Sequence, residues 1–144
     1  MTYPLLPALL DTLLPGDGAD WPAAGAHGVA ARMDDLAAGA PGGSEALAAV
    51  LEALPADFES RPPEDRETLL RRIDADDPDR FARVVTAAYN AYYTDPAVRD
   101  VIERLTGYEN RPPQPLGYDL PPFDESLLDA VKARGPIWRA VPEE

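Results

Sequence analysis

The side chain best suited to proton transfer near neutral pH is His27, the one histidine in 144 residues, which stands beside Gly28. A general base or a metal ligand is conceivable there. The chain has no cysteine, so any metal held by His27 would need carboxylates for the rest of its ligands. His27 therefore reads first as a local structural or surface group. The acidic run Asp74-Ala75-Asp76-Asp77-Pro78-Asp79 invites a calcium loop but lacks its pattern. Pro78 stands where an EF-hand needs Asp or Asn, Asp79 where it needs glycine, and Val85 where it needs glutamate. A junction between two capped helices accounts for the run. Gly16-Asp17-Gly18 is too short to cradle a phosphate, and no strand precedes it. Ser44, Ser60 and Ser126 sit where caps or turns fall, outside any Gly-x-Ser-x-Gly setting. With 26 Asp and Glu, some carboxylates will lie close together, but nothing singles out an acid–base pair. The sequence assigns no catalytic, cofactor-binding or metal-binding residue to this chain.

Composition narrows the partners. A net charge of −13, spread along the chain, repels nucleic-acid phosphates and anionic lipid surfaces. It serves solubility, and it also suits a face that meets a basic partner. Without cysteine there are no disulfides, thiolate chemistry, iron–sulfur ligation or covalent haem attachment. No stretch reaches the ~18 apolar residues of a membrane span, so no membrane insertion is expected. The opening Met1-Thr2-Tyr3-Pro4-Leu5-Leu6-Pro7 carries neither a basic region nor twin arginines. A cytoplasmic location is the expectation; a periplasmic one requires carriage by a partner or prior removal of a signal.

The elements follow from the punctuation of 17 prolines and 10 glycines. Apolar residues are mostly Ala, Leu and Val, which favours helix over sheet. The expected fold is all-α: six or seven short helices in one irregular bundle, forming a single domain over 1–144. Leu5, Leu6, Leu9, Leu10, Leu13 and Leu14 form the first helical stripe, stopped by Pro15-Gly16. Val29, Met33 and Leu36 mark a second helix. Ser44 is expected to cap a third, with Leu47, Val50, Leu51 and Leu54 inward. Pro62-Pro63 opens a fourth, carrying Leu69, Leu70 and Ile73. Asp77-Pro78 and Asp95-Pro96 each read as an N-cap followed by proline in the first turn. The helices they open bury Phe81, Val84, Val85, Ala88 and Tyr92, then Val98, Val101, Ile102 and Leu105. Gly107 closes the last of these. Residues 107–123 contain too many prolines for a helix and are expected to run extended, much of the segment as polyproline II. Asp124 caps a final helix within 124–144, with Phe123 and Leu128 in the two staple positions.

Tyr89, Tyr92, Tyr93, Tyr108, Tyr118, Phe123 and Trp138 gather in the C-terminal half around the proline-rich segment. Tyrosine buries apolar area while its hydroxyl keeps a polar contact, a combination that recurs in interfaces. The same residues could instead pack the extended segment onto the chain's own helices. Both readings stand.

Several blocks, taken in order, resemble the gluconate 2-dehydrogenase subunit 3 family. They are Leu9-Leu10-Asp11-Thr12-Leu13-Leu14-Pro15-Gly16, Tyr92-Tyr93-Thr94-Asp95-Pro96-Ala97-Val98, Gly107-Tyr108, and Arg111-Pro112-Pro113-Gln114-Pro115-Leu116-Gly117-Tyr118. The resemblance implies a non-catalytic small subunit that accompanies a large flavoprotein of the glucose–methanol–choline oxidoreductase class. FAD and the catalytic histidine would belong to that large subunit, the substrate would be a sugar or glycoside, and a cytochrome could form a third subunit. In such a complex the small subunit is associated with maturation of the large one and with its export through a twin-arginine signal. The residues expected at the flavoprotein interface are Tyr89, Tyr92, Tyr93, Tyr108, Gln114, Pro115, Gly117, Tyr118, Phe123 and Trp138. A stand-alone interaction or chaperone-like module is the alternative. A small hydrolase or lyase working through carboxylates is the reading from another class.

Overall fold

Proline decides where most of the helices begin. The computed structural model describes residues 3–26, 28–109, 117 and 121–135, and these contain seven α-helices and no strand. The helices are α1 (Leu6–Leu13), α2 (Val29–Gly39), α3 (Gly43–Glu52), α4 (Pro63–Asp76), α5 (Pro78–Tyr93), α6 (Pro96–Thr106) and α7 (Asp129–Arg134). α1, α4, α5 and α6 all have proline in the first turn, where a missing N–H leaves no bond unmade. The all-α expectation is met.

The chain divides into two compact units, Met1–Asn110 and Arg111–Glu144, with the boundary inside the stretch expected to be extended. In the first unit α5 is the central helix, packed against α2, α3 and α4, with α6 following it. Its inward face carries Phe81, Val84, Ala88, Ala91 and Tyr92, all buried. These join Leu9 and Leu10 from α1, Met33 from α2, and Leu47 and Val50 from α3 in one hydrophobic cluster. Phe58, in a 3-10 turn between α3 and α4, is fully buried within the same cluster. No apolar stripe on a helix announces it.

The expected caps at Asp77 and Asp95 form: their carboxylates accept from the Arg80 and Ala97 N–H groups, each at 3.0 Å. The acidic run 74–79 is thus the end of α4 and the start of α5, with Asp77 serving both. Gly107, at φ +70°, ends α6. Two expectations are corrected. Ser44 caps nothing, because α3 starts one residue earlier, behind Gly42 at φ +70°. A Cβ on Gly43 would press into the Ala37 carbonyl, so glycine lets the start of α3 touch the end of α2. Leu105 is 48% exposed rather than inward; α6 buries Val98 and Val101 in its first turns and leaves the core before its last.

In the second unit Asp124 accepts from the Ser126 N–H at 3.0 Å, as a cap should. The turn it opens is 3-10 over Glu125–Leu128 before α7 begins, and Gly135 at φ +67° follows. Phe123 and Leu128, the expected staple, are both exposed. No described helix is long and apolar enough to cross a membrane.

Candidate functional site

Both ends of the α1 motif make close contacts with backbone elsewhere in the chain. The Asp11 carboxylate accepts the Gly25 N–H at 2.7 Å, tying α1 to the 3-10 turn Ala24–Ala26. A Cβ on Gly25 would lie 2.8 Å from that carboxyl, so the turn approaches α1 closely. Gly16 has φ +70°, and a Cβ there would meet the Ala23 nitrogen at 2.8 Å. Asp17 then accepts the N–H groups of Ala19 and Trp21, both at 2.9 Å. Those bonds hold its carboxyl below the ordinary aspartate range, the Ala19 bond foremost. Asp11 and Asp17 both shape this loop.

The second block, Tyr92 to Val98, turns the chain from α5 into α6. Tyr92 is 4% exposed, and its hydroxyl donates to the Pro22 carbonyl at 2.7 Å. Burial raises the phenol above its ordinary value, helped by the nearby Tyr93, Asp17 and Asp95. Asp95 is buried, and besides capping α6 it meets the Arg32 guanidinium of α2 at 3.2 Å. Thus Tyr92 and Asp95 pin the end of α5 to the loop after α1 and to α2.

Tyr93 points the other way. It is 44% exposed, its ring stacks on Tyr89 at 6.1 Å and 10°, and Tyr92 meets it edge-on at 5.3 Å. Tyr89 is equally open to solvent. The spacing Ala82, Thr86, Tyr89, Tyr93 places all four on one stripe of α5. Beside this stripe runs a groove of about 530 Å³, between α5 and the end of α2 with its following turn. Leu36, Ala40 and Pro41 form one wall; Ala82, Thr86, Ala87 and Asn90 form the other. Arg83 donates to the Pro41 carbonyl at 2.8 Å and braces the two walls. This groove, with the Tyr89–Tyr93 pair farther along α5, is the candidate interface, and nothing in the local sequence pattern of α2 pointed to its Leu36 wall.

The expected interface residues divide accordingly. Tyr89 and Tyr93 lie together on the outer face of α5. Tyr92, which the sequence reading placed both on the inward face of its helix and among the interface residues, is buried: its ring joins the core and its hydroxyl is bonded to Pro22. Tyr108 is exposed just beyond α6, its N–H donating to the Thr106 hydroxyl at 3.1 Å. Phe123, 65% exposed, and Gly117, at φ +68°, belong to the second unit. Gln114, Pro115, Tyr118 and Trp138 lie outside the described residues, as does His27. Among the described residues no three His, Asp or Glu side chains converge as a metal-binding group. Comparison with known protein families, with curated proteins and with solved structures returns no match.

Proposed function

We propose that this chain is a non-catalytic small subunit that binds and stabilises a large FAD-dependent oxidoreductase acting on a sugar or glycoside. The observation that supports the binding role is the outer face of α5, where Ala82 and Thr86 line a largely apolar groove and the stacked Tyr89 and Tyr93 continue the same stripe. Rigid aromatic side chains beside an apolar recess are what interface hot spots are made of. The identity of the partner rests on the ordered resemblance of the four sequence blocks. Two of those blocks have the internal duty of holding this face: Asp11 and Gly16 shape the loop that receives the Tyr92 hydroxyl, and Tyr92 and Asp95 fix the end of α5. A partner that binds only the folded large subunit raises its stability by mass action, about 2.7 kcal/mol at a hundredfold excess over Kd. Catalysis and FAD belong to the large chain in this reading, and a cytochrome as third subunit accepts its electrons.

The test is purification of the tagged chain from its native host, with the eluate examined for flavin absorbance and for a large chain in fixed ratio. A yellow, stoichiometric complex is expected. Tyr93→Ala should weaken it about tenfold, the order of a single hot-spot truncation. A colourless eluate, or turnover by the purified chain alone, would overturn the proposal.

A further inference from the structure

We infer that the groove between α2 and α5 receives a basic amphipathic segment of a protein partner, its apolar side chains in the groove and its arginines or lysines on the tyrosine rings farther along α5. The inference rests on the binding role proposed above and names the chemistry of the surface that binds there. Its argument is charge. Residues 1–110 contain twenty Asp and Glu against nine Arg and no Lys. At least five of those arginines pair with the chain's own carboxylates: Arg32 with Asp95, Arg61 with Asp57, Arg71 with Glu67, Arg80 with Asp77 and Arg104 with Asp20. Among the described lining residues of the groove the cation is Arg83, which is held on the Pro41 carbonyl. The surplus is therefore carboxylate. It includes Asp35 at the groove itself and, in the adjoining cleft beyond Arg83, Glu45 and Asp79.

Such a field repels a second copy of this chain and attracts a cationic segment. The groove walls are largely apolar, so charge alone does not fill them; Leu36, Ala40 and Pro41 ask for aliphatic side chains. At the far end of the stripe, the faces of Tyr89 and Tyr93 suit a guanidinium or ammonium group by cation–π attraction. The stripe from Ala82 to Tyr93 is about 16 Å long, which corresponds to roughly three turns of a helix laid along it.

The experiment uses the full chain and three fluorescent peptides of about twelve residues, followed by anisotropy at low salt. One carries Leu on one face and Arg on the other, the second replaces Arg by Glu, and the third keeps Arg but replaces Leu by Ser. The Leu/Arg peptide should bind at least tenfold more tightly than either of the others. Tyr93→Ala should weaken it three- to tenfold, and Asp35→Arg by a similar factor that shrinks as salt is raised. Leu36→Ser should weaken it without altering the salt dependence. Glu64→Arg, on the first turn of α4, should change little; circular dichroism checks that every variant is folded. Equal binding of the Glu peptide, or an equal response to Glu64→Arg and Asp35→Arg, would overturn the inference, as would a dimer abolished by Tyr93→Ala. A chain that co-purifies with a flavoprotein yet ignores the Leu/Arg peptide overturns this inference while leaving the accessory role standing. Peptide binding as expected without any flavoprotein supports the inference and overturns that role.

Discussion

At Tyr92 burial penalises the phenolate and the Pro22 carbonyl holds the hydroxyl hydrogen, so both effects favour the protonated ring. A phenol whose pKa is higher in the folded chain than in the unfolded one adds stability that is fully present below about pH 10. That stability is lost as pH rises through the raised folded value. Tyr92→Phe should therefore cost about 1 kcal/mol at pH 7, the order of one hydrogen bond. It should also make the fall in stability above pH 10 shallower than in the wild type. Urea unfolding at pH 7 and again above pH 10 measures both effects, and an unchanged alkaline slope would mean that Tyr92 does not carry it. The inward position of Tyr92 was legible in the periodicity of α5, but its hydrogen bond was not. Tyr92 and Tyr93 are identical residue types, one turned to the core and one to solvent, and only their angular position on α5 separates them. The Tyr92–Pro22 and Arg32–Asp95 contacts join residues far apart in the chain, so no local pattern announces either.

Among the elements, the boundaries set by local chemistry were the readable ones. Aspartate before proline fixes the starts of α5 and α6, because cap and first turn lie within three residues. The start of α3 was misread, since it depends on the contact of Gly43 with Ala37 across a turn rather than on Ser44. A paired substitution separates the two kinds of glycine. Gly43→Ala should destabilise the chain by about 1–3 kcal/mol, since backbone must move to admit the methyl group. Gly39→Ala, where a Cβ would meet nothing within 4 Å, should be neutral or stabilising by up to about 1 kcal/mol. Thermal melts of the two variants give the comparison. If Gly43→Ala melts like the wild type, the close contact between α2 and α3 is not a constraint on the fold. Leu105 shows the opposite error: periodicity placed it inward correctly for a longer contact, but α6 departs from its neighbours too early to bury it.

At the scale of the molecule, the described residues of the hydrophobic cluster and those packed against it fall between Tyr3 and Ile102. In the second unit, by contrast, Phe123, Leu127, Leu128 and Val131 stand exposed. A chain ending at Asn110 should fold with the same cooperative melt as the full chain, within about 1 kcal/mol. A truncated chain that fails to fold would show that residues 111–144 supply stability the cluster does not. The arrangement also bears on how the sequence can drift. Substitutions at the exposed residues of 121–135 meet no packed core, so stability gives selection little reason to resist them there. Two alternatives with equal effects on the melt would be interchangeable as far as folding is concerned. In a saturation library sorted first for abundance and then for function, positions 1–110 should be depleted in the first sort. Positions in the second unit that survive it and vanish only in the second would be marked as working residues, free of the ambiguity that burial brings.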